Sequence, residues 1–172
     1  MKIFIAADHA GFELKKFLVE KLSEDHHEMI DCGAHQLIED DDYPKYISKA
    51  ARDVSECEIA RMRGAITNSP NDEDLEVRGI VIGGSGQGEA IMANRYESVR
   101  AAVYYGGPEE IVTLSREHND ANILSLGARF LSETEALKVV KLWLKTKFSG
   151  EERHIRRIGE VDLIAGESNL FG

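Results

Sequence analysis

The sequence is short of bases: Lys and Arg total 21 against 31 Asp and Glu, a formal net charge of −10. General affinity for nucleic acid or an anionic membrane surface needs a positive field, so both classes of partner are disfavoured. Any anionic ligand must be held by a local basic cluster. Long apolar runs are also missing, and no stretch approaches the ~18 residues of a membrane span. The opening MKIFIAADHAG carries one lysine and a short apolar run ending at Asp8 and His9. That is not a secretory h-region, so a cytoplasmic location is expected. Cysteine is nearly absent: Cys32 and Cys57 form no CxxC pair. In a reduced compartment they read as small buried hydrophobes and suggest neither a bridge nor a metal. With 172 residues, the chain is long enough to bury a core as one domain, residues 1–172, without a staple.

What is present is an alternation. Apolar runs at 2–7, 28–33, 79–84, 100–105 and 121–127 read as short buried strands, each bounded by Gly, Asp or Asn. Between them lie segments of helical length at 11–25, 43–56, 89–98, 108–119 and 132–148. The first places Phe12, Leu14, Phe17, Leu18 and Leu22 on one face; the last places Leu137, Val140, Leu144 and Phe148 inward. Strands alternating with helices predict an α/β fold: a Rossmann-like, doubly wound, parallel sheet of about five strands, with helices on both faces. In such a sheet ligands sit at the carboxyl ends of the strands. Two segments break the rhythm. Residues 61–78 are polar, acidic and turn-rich, and are expected to be a surface insertion without a catalytic role. The tail 151–172 packs Arg153, His154, Arg156 and Arg157 together and then turns apolar at VDLIAG.

Four clusters at strand ends offer chemistry, and each has an ordinary alternative. Asp8, beside His9, either acts on a ligand or caps the helix beginning near Gly11. His118 in HND is either functional or a surface histidine closing a helix. RHIRR is either an anion site or a charged helix face opposite Glu151, Glu152 and Glu160. The loop GGSGQGEA, residues 83–90, is the hardest to dismiss. Glycine in such number marks backbone that takes positive φ or approaches a ligand closely. The loop lacks the G-x-G-x-x-G spacing of a dinucleotide fingerprint and the Lys-Ser/Thr of a Walker loop. It offers backbone N–H groups around Gly84 and Gly86 and the Ser85 hydroxyl, a donor set suited to a developing oxyanion. Glu89 falls in the first turn of the following helix, as a base or as an ordinary N-terminal glutamate.

Taken together, AADHAGFELK, DYP, GGSGQGEAIMANR, SREHNDANILSLGAR and RHIRR resemble the type B ribose-5-phosphate isomerase family, which also includes galactose-6-phosphate isomerase subunits. The match runs in order over nearly the whole chain. The resemblance implies a homodimer, or a dimer of dimers, with active sites shared between subunits. It also implies interconversion of an aldose and a ketose phosphate without metal or cofactor. Many members carry a cysteine base at the position that is Gly83 here; this sequence resembles the branch whose base is a glutamate, here Glu89. By the same resemblance His118 and Asp8 open the sugar ring, Ser85 and the loop at 84–86 hold the enediolate, and Asn119 positions a hydroxyl. Arg129, Arg153 and Arg157 take the phosphate with His9 and His154 beside them, and Tyr43 is a pocket wall. The implied substrate is ribose 5-phosphate or ribulose 5-phosphate. A six-carbon sugar phosphate such as galactose 6-phosphate is the near alternative. A non-catalytic sugar-phosphate or nucleotide-binding module is the distant one, since a binder needs the arginines but has no use for the proton-transfer set.

Overall fold

The computed structural model describes residues 1–64 and 76–168. Five strands, β1 (Lys2–Ala7), β2 (Glu28–Asp31), β3 (Val77–Gly83), β4 (Ala101–Tyr104) and β5 (Ile123–Gly127), form one parallel sheet in the order β2-β1-β3-β5-β4. β3 and β5 are buried throughout, because a parallel sheet covered on both faces has no wet side. Their sequences are accordingly near-continuous apolar runs.

Among the described residues there are six α-helices: α1 (Phe12–Glu24), α2 (Pro44–Met62), α3 (Gln87–Ala93), α4 (Glu110–Glu117) and α5 (Glu133–Lys145), which cover the sheet, and α6 (Glu152–Ser168), which joins neither core layer. One core layer packs Leu14, Leu18 and Leu22 of α1 with Val112 of α4 and with Val139, Val140 and Trp143 of α5 against Ile3, Ile5, Ile80 and Leu124. The opposite layer packs Ile47, Ala50, Ala51 and Val54 of α2 and Ala93 of α3 against Phe4, Ala6 and Val81. The helix after β1 thus lies on one face and the helix after β3 on the other. The crevice between these strands is the point where the winding reverses, which is where open α/β sheets bind ligands.

Three details differ from the sequence-based expectation. The inward face of α5 is centred on Ala136, Val139, Val140, Trp143 and Leu144, whereas Leu137 and Phe148 are only partly buried. α2 runs on to Met62 and β3 begins at Val77, so the predicted insertion at 61–78 contracts to a connection whose residues 65–75 lie outside the described ones. The tail begins as a helix, α6, whose Ile155, Val161 and Leu163 are exposed.

Candidate active site

At the carboxyl end of β1, Asp8 is 6 % exposed, and its Oδ1 accepts the N–H groups of Ala10 and Gly11 at 2.9 and 3.1 Å. Asp8 therefore does cap a turn, the single 3-10 turn His9–Gly11 that leads into α1. Capping holds the carboxylate rigidly at the crevice. His9 is anchored twice by Asp41, whose Oδ1 accepts the His9 backbone N–H at 3.0 Å and contacts His9 Nδ1 at 2.8 Å. The Asp41 hydrogen bond raises the His9 pKa, and Asp8 and Asp40 add to the same effect against a smaller opposing cost of burial. Asp41, in the acidic run before Tyr43, escaped the sequence reading; only the fold brings it to His9.

Beside them runs the glycine loop. Gly86 adopts the left-handed conformation, φ 77°, and caps α3. Its carbonyl accepts the hydroxyl of fully buried Ser125 at 2.6 Å. The N–H groups of Ala128 and Arg129 bind the carbonyls of Gly83 and Gly84 at 2.8 and 3.1 Å, so the loop is tied to the end of β5. Ser85 Oγ accepts the Gln87 N–H at 3.3 Å. Arg129 lies over Gly84, where an added Cβ would sit 3.0 Å from Nε, and the Tyr43 hydroxyl lies 2.8 Å from the Cβ position of Gly88. The glycines give these side chains the room they occupy.

Glu89 is 4 % exposed. Burial raises its pKa and the charge of Asp8 raises it further, against the backbone N–H groups of Glu89 and Gly86, which lower it. A Cβ built on Gly83 would overlap the Glu89 carboxyl. The glutamate therefore fills the space that a cysteine at 83 would need. Neither cysteine is near this role: Cys32 is buried in the α2 layer with its thiol pKa raised to about 11, chiefly by burial, and Cys57 sits on α2 with its thiol also raised by burial.

Among the described residues, Asp8, His9 and Asp41 are the one trio whose donor atoms lie within 4.8 Å of one another in a pattern that could hold a metal. Asp8 Oδ1 and Asp41 Oδ1 already accept two contacts each, and the Asp41 hydrogen bond raises the His9 pKa, favouring the charged ring.

The remaining predicted residues lie at the other end of the sheet. His118 and Asn119 follow α4 and precede β5, whereas Arg129 follows it. Five residues of strand separate the two ends by ~16 Å. His118, Asn119, His154 and Arg157 line a cavity of about 770 Å³ together with Arg100 and Asp162. His154 is 2 % exposed; its Nδ1 contacts Ser149 Oγ at 2.8 Å and its ring lies tilted at 41° against His118 with centroids 4.3 Å apart. Arg153 pairs with Glu151 at 2.8 Å and Arg156 with Glu160 at 3.8 Å, both exposed, while Arg157 faces the cavity. The residues singled out in the sequence thus fall into two groups. Asp8, His9, Tyr43, the glycine loop, Glu89 and Arg129 form one; His118, Asn119, His154 and Arg157 form the other.

Residues 3–161 match the family model described as Ribose/Galactose Isomerase. The chain belongs to the ribose/galactose isomerase family. Ribose-5-phosphate isomerase B of Mycobacterium tuberculosis is 38 % identical over 159 residues, covering 92 % of this chain and 86 % of that protein. The solved ribose-5-phosphate isomerase B of Clostridium thermocellum superposes with a TM-score of 0.79 at 38 % identity, covering 98 % of this chain and 99 % of its own. The Mycoplasma genitalium enzyme, solved with bound ribulose-5-phosphate, gives a TM-score of 0.82 at 32 % identity over 96 % of this chain and 97 % of its own. Family membership and the parallel α/β fold agree.

Proposed function

We propose that this protein interconverts ribose 5-phosphate and ribulose 5-phosphate by ring opening followed by proton transfer through a cis-enediolate. The observation that carries this reading is the Glu89 carboxyl, 4 % exposed beside Asp8 at the head of a loop rich in backbone donors. A base that shuttles a carbon-bound proton between C1 and C2 works best when its pKa is lifted toward neutrality, and burial lifts this one. Ser85 and the backbone N–H groups around Gly84 and Gly86 face the oxyanion. His118 and Asp8 exchange protons with the ring oxygen and the anomeric hydroxyl, and Asn119 holds a hydroxyl. Arg129, Arg153 and Arg157 supply the guanidinium donors that a phosphate of about two charges requires, with His9 as a further cation and Tyr43 as a wall. His154, buried under His118, supports that ring rather than the phosphate.

The half-sites combine if two chains pair so that each offers His118, Asn119, Arg153 and Arg157 to the other's Glu89. Exposed apolar side chains accompany both halves: Ile91, Tyr105 and Phe130 at the first, Ile155, Val161 and Leu163 on α6 at the second. A cytoplasmic homodimer, alone or paired again, is the assembly proposed. Among the described residues no helix is long and apolar enough to cross a membrane.

A coupled assay with five- and six-carbon sugar phosphates, with and without chelator, tests the reading. Turnover of ribose 5-phosphate that survives chelation is expected. Turnover confined to a six-carbon substrate, or turnover lost with chelator and restored by a divalent ion, would overturn it.

A further inference from the structure

His118 and Asn119 leave α4 on a turn that closes at Asp120, a non-glycine residue in the left-handed region at φ 45°. Such backbone is strained and persists only where its surroundings over-determine it. Here two arginines do so. Arg100, at the entry to β4, sets its Nε at 3.1 Å from the carbonyls of both Asn119 and Asp120, its Nη2 at 3.1 Å from Asp120 Oδ2 and its Nη1 at 3.2 Å from the Ser98 carbonyl. Arg116, 2 % exposed on α4, sets its Nη1 at 2.7 Å from Asp120 Oδ1 and at 2.7 Å from the Ala121 carbonyl. Its Nε donates to the Thr146 carbonyl at 3.2 Å, and its guanidinium lies 5.9 Å from the ring centroid of fully buried Trp143. One carboxylate thus holds two guanidiniums, and these grip the carbonyls on both sides of the turn. The planar fork of arginine suits this bridging, and lysine does not reproduce it.

We propose that Arg100, Asp120 and Arg116 form a clamp that positions His118 and Asn119 for ring opening. The clamp rests on the reading of His118 as the ring-opening group. A looser turn could satisfy the chain with glycine or asparagine alone. Arg116, buried beside the core tryptophan, and half-buried Arg100 instead fix where the His118 ring stands against His154 and the cavity. All three are positioning residues: none is placed against the reacting carbons.

Asp120→Asn tests this, because asparagine tolerates left-handed backbone while the charge that draws both guanidiniums is lost. Displacing a catalytic group by about 1 Å can cost ~10²-fold, and a loss of that order in turnover of ribose 5-phosphate is expected. Ring opening then limits the rate, so the kinetic isotope effect of deuterium at C2 should fall to near unity. Arg100→Lys keeps a charge for Asp120 but cannot bridge the two carbonyls, and it should behave alike if Asp120→Asn does not fold. Unchanged turnover, or a full primary isotope effect in a slowed variant, overturns the clamp, since a purely structural lesion has no reason to move the slow step to ring opening. A wild-type protein inactive on ribose 5-phosphate would instead end the reading of the function, which separates the two failures.

Discussion

Glu89 loses most of its water at the carboxyl end of β3 and faces a second carboxylate, Asp8. A carboxyl whose folded pKa is raised contributes stability below its unfolded value and loses it as pH rises through the folded one. At neutral pH the ionised side chain is therefore a burden on the fold. Glu89→Gln should raise Tm at pH 7, with the difference vanishing in acid, while kcat falls ~10²- to 10⁴-fold and sugar-phosphate affinity changes far less. Unchanged kcat would move the base elsewhere. His9 is the opposite case, a cation favoured chiefly by Asp41 and also by Asp8 and Asp40. In Asp41→Asn its pKa drops, so the rise of KM with pH should begin at lower pH than in the wild type, with kcat nearly constant; superimposable profiles would refute this. Motif residues were legible because they punctuate strand ends, but Asp41, Arg100, Arg116 and Asp120 were not. Asp41, Arg116 and Asp120 sit among other charges in the sequence while Arg100 opens an apolar run, and only folding decides which of them leaves water. Lys15 makes the same point: one of two adjacent lysines in ELKK, it is 1 % exposed, bound to Asp31 at 2.6 Å and to the Ala34 carbonyl at 2.6 Å.

At the scale of elements, the five strands were legible because a strand buried on both faces has little choice but to be apolar. Helix boundaries were less so. α2 extends beyond Glu56 to Met62 with Glu58 buried and paired to Arg61 at 2.7 Å, a polar pattern that periodicity alone assigns to surface. α3 begins at Gln87, ahead of Glu89, because left-handed Gly86 caps it. In α5 the single tryptophan shifts the centre of the buried stripe: Trp143 is fully buried, and its contact with Arg116 joins the core to the clamp around His118. The same helix therefore serves packing on one side and the second half-site at its end.

For the whole molecule, the decisive quantity is the length of a strand. β5 separates the cluster of His118, Asn119, His154 and Arg157 from the glycine loop, which lies at the opposite end of the strand. A hybrid experiment follows from the two-chain arrangement. Glu89→Gln and His118→Ala homodimers should each be nearly inactive, yet their co-refolded mixture should regain about a quarter of wild-type turnover, because half the dimers are hybrids with one intact site of two. A mixture as inactive as its parents would show that the two residues never share a pocket between subunits. The family resemblance implied sites shared between subunits, but which motifs stand together in one chain was not legible where all of them lie in one line.

The contact between Gly83 and Glu89 also constrains the history open to this chain. A side chain at 83 would meet the Glu89 carboxyl where it now stands, so a cysteine there enters only if that carboxyl swings aside. Under the role proposed for Glu89, a thiol base at 83 and a carboxylate base at 89 compete for one place in the pocket.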